Sequence, residues 1–239
     1  MLILSIDTSA TAASVALTED NKLLGEFFIN TDFTHSRTLL PMISNLLEIV
    51  GKSTSDVELL AVTTGPGSFT GVRIGVATVK GIAFGDDLPC MGVSTLESMA
   101  YNLILTDCVV CAAMDARRDQ VYNAMFRIKY GEVERLCEDR AISLADLKSE
   151  ISGKYNGEHI ILVGDGAKLT MRELMDLKTS FIELAPEPLL YQRASSVAQC
   201  AKHKIKNGEE PKKSAELLPS YLRLSQAERE RQEKLLNNN

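Results

Sequence analysis

The sequence contains no tryptophan, and aromatic residues make up only 5% of its 239 residues. Proteins that stack RNA bases present exposed aromatic side chains, so this scarcity argues against a base-stacking RNA platform. An excess of basic residues is also missing, since 26 Lys and Arg stand against 32 Asp and Glu. With a net charge of −6, the chain is not expected to hold a nucleic-acid backbone alone. If it acts on RNA, another molecule should supply most of the phosphate contacts.

Long uninterrupted hydrophobic runs are absent as well. The longest apolar stretch, residues 59–84, is broken by Gly65, Pro66, Gly67, Arg73 and Lys80, so it is not typical of a membrane span. No basic segment precedes the first apolar run, as it would in a secretory signal peptide. The five cysteines lack the spacing of a disulfide framework. We therefore expect a cytoplasmic protein that does not associate with a membrane.

The first half of the chain has the pattern of a mixed α/β unit. Apolar runs and alternation predict strands over residues 2–7, 14–17 and 23–29, joined in an antiparallel meander. A helix is predicted from about Thr38 to Gly51, because proline, here Pro41, is tolerated in the first turn and glycine favours a helix end. A strand over 59–63 and a helix over 69–84 follow.

The second half repeats this order. It has predicted strands over 108–114, 121–128 and 160–163, and predicted helices over 144–151, from Ala167, and over 195–206. Each half opens with an apolar strand that ends in an aspartate, Asp7 or Asp115. Each half later has a strand followed by a glycine loop, at residues 65–67 and 164–166. Such internal self-similarity predicts two similar lobes.

Two similar lobes facing a cleft are the plan of the actin-like ATPases and sugar kinases. The sequence therefore predicts an α/β protein with a two-lobed actin-like ATPase (ASKHA, ribonuclease H-like) fold and mixed sheets. We place the first lobe at residues 1–105, the second at 106–225 and a charged C-terminal tail at 226–239. We expect the tail to fray or to dock on a partner.

In this plan the aspartates and glycine loops could hold a nucleotide and its metal. The residues that could form a weak or vestigial nucleotide site are Asp7, Thr8, Ser9, Gly65, Gly67, Asp115, Gly164, Asp165 and Gly166. The alternative is structural: Asp7 would cap a turn and Ser68 would cap the next helix. The loop is no P-loop, since no Gly-Lys-Ser/Thr follows, and no dinucleotide fingerprint, since Thr70 replaces its third glycine.

No residue pattern indicates a catalytic or metal site. His35, His159 and His203 lack the close spacing of zinc ligands, and no Ser–His–Asp grouping is visible. Cys108 and Cys111, three residues apart in a strand, should point to opposite faces, so we interpret them as core residues rather than a redox pair. We therefore predict no catalytic residue and no metal ligand.

Six stretches of the sequence together resemble one bacterial family, TsaB, also called YeaZ. They are LSIDTS at 4–9, SVAL at 14–17, HS followed by LLP at 35–41, GPGSFTGVRIG at 65–75, MDAR at 114–117 and PSYLR at 219–223. The resemblance spans nearly the whole chain, and the 65–75 stretch is its most specific part. It implies an actin-like fold and a role in making threonylcarbamoyladenosine, the modified adenosine beside the tRNA anticodon.

The resemblance also implies partners. In that pathway a catalytic sister, TsaD, transfers the threonylcarbamoyl group to tRNA, and an ATPase, TsaE, joins the complex. In the sister, the strand after the glycine-loop helix leads into Asn-His-x-x-Gly-His, whose histidines bind metal. Here Thr95 and Met99 stand at those two positions, and neither side chain replaces imidazole in such a site. The resemblance thus favours a non-catalytic partner subunit that reaches tRNA only through the complex.

In the family, helices of the first lobe form the pairing surface. On this chain the residues implied are His35, Leu39, Leu40, Ile43, Arg73, Val76 and Lys80. Gly71 and Gly75 lie on one helix face and would let a partner helix approach closely, or would instead pack inside the lobe. The same surface could form a homodimer in the isolated chain.

Two other functions stay open at this point. The chain could be an independent enzyme of the same fold, either a glycoprotease-like peptidase or a small-molecule kinase with Asp7 or Asp115 as its base. It could also be a module that binds ATP or ADP weakly without turnover, although no cofactor is expected to be required. Lys202, Lys204, Lys206, Lys212 and Lys213 could add tRNA contacts within the assembly.

Overall fold

Two mixed β-sheets with helices on their faces make up the protein. The computed structural model describes residues 1–31, 34–177 and 181–223, and within these ranges it has eleven strands and seven α-helices. The predicted tail, residues 226–239, lies outside the described residues.

The first sheet contains five strands in the order β3-β2-β1-β4-β5. β2 is antiparallel to both β1 and β3, which confirms the predicted meander, whereas β4 is parallel to both β1 and β5. The strands are β1 (Leu2–Asp7), β2 (Ala13–Glu19), β3 (Lys22–Ile29), β4 (Leu59–Gly65) and β5 (Cys90–Ser94).

The second sheet has the same topology. Its main path is β11-β10-β6-β7-β8, with β7 antiparallel to β6 and β8, and β10 parallel to β6 and β11. This order is that of the first sheet, so the predicted repeat is confirmed. The strands are β6 (Cys108–Asp115), β7 (Gln120–Lys129), β8 (Glu132–Arg135), β9 (Arg140–Ser143), which pairs with β7, β10 (His159–Val163) and β11 (Phe181–Leu184).

The helices cover these sheets, and the central strands are therefore buried on both faces. Every residue of β1 is buried, and only the last residue of β6 is partly exposed, which explains why both strands are continuous apolar runs. The helices are α1 (His35–Val50), α2 (Phe69–Ala83), α3 (Thr95–Ala100), α4 (Leu144–Lys154), α5 (Ala167–Leu174), α6 (Glu187–Leu190) and α7 (Ala194–Lys206).

Helix α1 begins three residues earlier than predicted. It starts at His35 instead of Thr38, so Pro41 lies inside the helix rather than in its first turn. Pro41 is exposed, and water can compensate on the solvent-facing side for the donor that proline lacks. The predicted end is confirmed: Gly51 adopts the left-handed conformation, with φ of 69°, and its N–H donates to the carbonyl of Glu48.

The boundary between the lobes does not coincide with a single point in the sequence. The chain leaves the first sheet after β5 and enters the second at β6, close to the division that we expected at 105/106. Helix α7, however, lies in the predicted second lobe and packs against the first sheet, where Val197 and Cys200 meet Ile3 and Met91. Conversely, α3 lies in the predicted first lobe, and its Leu96 packs in the core of the second.

The chain beyond α7 returns along the first lobe. Lys212 pairs with Cys90 of β5 in an isolated antiparallel bridge, and the Leu217 side chain is buried in the core between the first sheet, α1 and α2. This path delivers residues 219–223 to the space between the lobes.

Helix α2 lies unusually close to the end of β1. A Cβ atom on Gly71 would overlap the carbonyl oxygen of Thr8, and one on Gly75 would lie 2.5 Å from the Thr8 hydroxyl oxygen. The Thr8 Oγ1 donates a hydrogen bond of 2.8 Å to the carbonyl of Gly71. The interpretation of these two glycines as a groove for a partner helix is therefore wrong, because the loop after β1 already fills that space.

We expect Gly71→Ala to destabilise the fold by about 2–3 kcal/mol. The new methyl group would overlap the Thr8 backbone, which could move only if the end of β1 moved with it. The matched control is Gly81→Ala in the same helix, since a Cβ on Gly81 would meet no described atom within 4 Å beyond its own helix backbone. The control should be neutral or stabilise the helix by about 0.5–1 kcal/mol. Urea unfolding of both variants measures the difference, and equal midpoints would show that the close contact is unimportant.

Candidate functional site

A cleft of about 610 Å³ lies between the lobes, where the loops after the central strands meet. The first lobe contributes residues 9–11 and 66–69, the second contributes residues 114–117 with Tyr122 and Asp165, and the C-terminal segment contributes residues 220–223. Four of the predicted nucleotide-site residues line it, namely Ser9, Gly67, Asp115 and Asp165. The other five, Asp7, Thr8, Gly65, Gly164 and Gly166, lie in the same loops behind this surface.

The loop after β1 is closed by its own side chains. Asp7 Oδ1 accepts hydrogen bonds from the Ser9 backbone N–H at 2.8 Å and from the Ser9 hydroxyl at 2.7 Å. With Thr8 bonded to α2, the polar groups that could bind phosphate are already engaged within the protein. The structural role considered for Asp7, a turn cap, is thus the one observed.

The first glycine loop packs directly on this turn. Gly65 and Gly67 have positive φ, and a Cβ on Gly67 would overlap the Ser9 carbonyl oxygen. The Ser68 N–H donates to that same oxygen at 2.6 Å, and the Ser68 hydroxyl accepts from the Gly71 N–H at 3.3 Å, as predicted for a helix cap. The loop therefore supports the turn rather than presenting these donors to the cleft.

The second glycine loop repeats the arrangement. Gly164 has a φ of 102°, and its N–H donates to the Leu190 carbonyl, while the Gly166 N–H donates to the Ala113 carbonyl at 3.0 Å. A Cβ on either glycine would collide with the end of β6. These loop amides, like those of the first lobe, have partners inside the chain.

Two carboxyl groups beneath the cleft are poorly satisfied. Asp7 Oδ2 and Asp165 Oδ1 have no hydrogen-bond partner among the described residues. Burial raises the pKa of Asp7 to about 6, against the lowering effect of its hydrogen bonds from Ser9. Burial likewise raises the pKa of Asp165 to about 6, against the lowering effect of hydrogen bonds from backbone N–H groups, of which that of Asp115 is the largest.

These features fit a metal nucleotide only in part. Carboxylate oxygens suit a hydrated Mg²⁺ ion, and Asp7, Asp115 and Asp165 lie in loops that face one cleft. The phosphate half of the ligand fits poorly, because the Ser9, Ser68 and Gly166 amides already donate within the protein. Within the described ranges, moreover, no group of three or more His, Cys, Asp or Glu side chains is placed to hold a metal ion.

Thr95 and Met99 are packing residues in this structure. Both side chains are fully buried, at the start and near the end of α3. The Met99 Cε lies 3.2 Å from the position that a Cβ on Gly164 would take, so the methionine fills the space beside the second glycine loop. Neither residue lines the cleft.

The predicted partner residues divide into three groups. Leu39, Ile43 and Val76 are buried in the core of the first lobe, so their assignment to a partner surface is corrected: their apolar faces cover the lobe's own sheet. Leu40 is 57% exposed and stays available to a partner.

The polar members of that set contact the chain itself. His35 Nε2 lies 2.7 Å from the Ala10 carbonyl oxygen. Arg73 Nε donates to the Tyr221 hydroxyl at 2.7 Å, and Lys80 Nζ donates to the Ala215 carbonyl at 3.2 Å. The C-terminal segment therefore covers part of α2, a contact that the sequence pattern of residues 219–223 does not predict.

All five cysteines are free thiols, and Cys108 and Cys111 are buried as predicted for core residues. Within the part of the chain that the structure describes, no helix has the length and apolar character needed to cross a bilayer.

Known proteins resemble this chain in sequence and in structure. A family model described as TsaD, tRNA N6-adenosine threonylcarbamoyltransferase, matches residues 25–233. The tRNA threonylcarbamoyladenosine biosynthesis protein TsaB of Bacillus subtilis is 32% identical over 230 residues, covering 95% of this chain and 96% of that protein. The TsaB protein of Escherichia coli is 38% identical over 168 residues, covering 70% and 72%.

The solved structure of YeaZ from Pseudomonas aeruginosa matches this fold with a TM-score of 0.78 and 28% sequence identity. The match covers 92% of this chain and 99% of that one. Together with the repeated sheet topology, this likeness confirms the predicted two-lobed actin-like fold.

The raised pKa of Asp7 predicts a pH-dependent cost to stability. The folded state holds the Asp7 proton up to about pH 6, whereas the unfolded chain releases it near its usual value of 3.8. The contribution of Asp7 to the free energy of unfolding is therefore fully present below about pH 4. It is lost as the pH rises to about 6. Asp7→Asn removes the ionisation and keeps the Oδ1 acceptor, so it should stabilise the protein by about 1–3 kcal/mol at about pH 7.5.

Urea unfolding at about pH 7.5 and about pH 4 measures this effect, and the gain should largely vanish at the lower pH. Asp86→Asn, at an exposed aspartate, is the matched control and should change stability little at either pH. A gain from Asp7→Asn that is equal at both pH values would contradict the assignment to ionisation.

Proposed function

The chain belongs to the TsaB family of tRNA threonylcarbamoyladenosine biosynthesis proteins, and on that premise we propose that it is a non-catalytic partner subunit. In this proposal it binds and supports the catalytic TsaD subunit, which transfers the threonylcarbamoyl group to the adenosine beside the tRNA anticodon. TsaE, the ATPase, joins the pair, and tRNA is reached only through the complex.

The observation that carries this proposal is the packing of Thr95 and Met99. They stand where the metal-binding histidines of the catalytic sister are expected. Both side chains are fully buried, and Met99 belongs to the core of the second lobe. A methionine thioether and a threonine hydroxyl are poor ligands for a metal that takes imidazole. The position therefore supports the fold and does not supply the ligands for the transfer reaction.

The cleft supports the same proposal. Its loop amides donate within the protein, so tight phosphate binding would require these hydrogen bonds to break. We propose that no nucleotide has to bind for the partner role, and that any ATP or ADP is held weakly. In the isolated chain, the exposed apolar surface near α1 would also allow a homodimer.

Reconstituted transfer to unmodified tRNA tests the partner role directly. The chain alone should give no threonylcarbamoyladenosine, whereas TsaD, TsaE and the adenylate substrate should need the chain for turnover. Asp115→Ala should leave that stimulation within about twofold, because a supporting subunit supplies no reacting group. Tandem mass spectrometry of tRNA nucleosides measures the product.

Two results would overturn the proposal. Transfer by the chain alone would show a catalytic site in this subunit. Full activity of the mixture without the chain would favour the alternative, an independent peptidase or small-molecule kinase, and a kinase activity abolished by Asp115→Ala would support that alternative.

The partner surface has its own test on α1. Leu40→Glu should weaken TsaD binding at least tenfold, about 1.4 kcal/mol, because a carboxylate would have to be buried in an apolar contact. Ile49→Glu is the matched control. Ile49 is 74% exposed on the same helix, and because it lies nine residues after Leu40, its side chain points to about the opposite side of the helix. Calorimetric titration with TsaD measures both, and equal weakening would place the partner elsewhere.

A further inference from the structure

Residues 220–223, here called the strap, lie across the opening between the two lobes. The strap begins on the first lobe, where the Ser220 N–H donates to the Thr64 carbonyl at 2.7 Å. A Cβ on Gly65 would overlap the Ser220 carbonyl oxygen, so this glycine lets the strap lie flat on the end of β4. The contact is therefore built by both segments and is not a loose surface association.

An aromatic and cationic cluster holds the middle of the strap. The Tyr221 ring stacks on Phe69 with 4.5 Å between centroids, and the Arg73 guanidinium lies 3.7 Å from the Phe69 centroid. The Arg73 Nε also donates to the Tyr221 hydroxyl at 2.7 Å. Stacking, cation–π attraction and a hydrogen bond thus act within one cluster.

The end of the strap reaches the second lobe. Arg223 Nη1 donates to the Ala116 carbonyl at 2.8 Å, across the cleft from the Tyr221 cluster. Ala116 begins the β6–β7 turn, in which the next three residues, Arg117, Arg118 and Asp119, all have positive φ. Such a turn is strained for residues that carry side chains.

The strap also separates two cavities. On one side is the cleft of about 610 Å³ that the aspartate loops line. On the other is a cavity of about 680 Å³, lined by Glu97, Arg135, Asp139 and Lys204 among others. Ser220 and Leu222 line both cavities, so the strap is a shared wall between them.

We propose that the strap is an interlobe tie that fixes the separation of the lobes and divides the space between them. The chain itself passes from one lobe to the other after β5 and again before α7. The strap adds a non-covalent connection to those made by the Ser94–Asp139 hydrogen bond and the Arg193–Glu26 ion pair. Loss of the bond from Arg223 to Ala116 removes one of these connections, so the lobes should gain freedom to move apart and the wall between the two cavities should open. This inference concerns the chain alone and does not depend on the proposed partner role.

Distances between the lobes test the tie in the full-length chain. Spin labels are attached through a ketone-bearing amino acid at Thr70 in α2 and Lys168 in α5, because five native cysteines make thiol labelling ambiguous. Both positions are exposed and lie outside the strap. Double electron–electron resonance then gives the distance distribution for each variant.

The wild type should give one narrow distribution. Arg223→Ala, which removes only the bond to the second lobe, should broaden it and lengthen its mean, and Tyr221→Ala/Arg223→Ala should broaden it further. Leu218→Ala is the matched control, since Leu218 is 68% exposed in the same segment and should leave the distribution unchanged. Thermal unfolding confirms that each variant is folded. Identical distributions for Arg223→Ala, the double variant and the control would overturn the proposal.

Discussion

The contact between the end of β1 and the start of α2 determines the rest of the first lobe. Thr8 donates to the Gly71 carbonyl, and neither Gly71 nor Gly75 has room for a side chain. This approach fixes the angle at which α2 leaves the sheet, and it brings the first glycine loop onto the turn of Asp7. In the second lobe the loop glycines Gly164 and Gly166 pack against the end of β6, as Gly67 packs on Ser9 in the first lobe. In both lobes, glycines let a loop pack closely on the end of the first strand, and the cleft lies between these two ends.

That close packing has a chemical consequence. In a loop held this tightly, backbone donors find partners inside the chain, as the Ser68 and Gly166 amides do. Two carboxyl oxygens, on Asp7 and Asp165, are left over beneath the cleft without partners in the described structure. A buried carboxyl costs stability once it ionises, so the close packing of these loops has a cost at neutral pH.

Local patterns predict the central strands and the long helices, and the repeat follows from them, whereas the short elements β5, β8, β9, β11, α3 and α6 are not predicted. The strand before Asp115 is a continuous apolar run because both of its faces are covered. The same patterns do not say what covers an apolar face. The family resemblance implies a partner for Leu39 and Val76, but both side chains belong to the lobe's own core. The hydrogen bond between Arg73 and Tyr221 joins residues 148 positions apart, and no local signal reports such a pairing.

Helix α3 contains a position that packing alone explains. A helix that starts after β5 is needed to pack on the second sheet, and Met99 meets that need beside Gly164 without any ligand. Histidine at this position would place a polar ring in a site that is now closed and packed with apolar side chains, and it would require a metal or a hydrogen-bond partner there. Packing alone accounts for Met99 at this position, because its side chain is fully buried in the core of the second lobe.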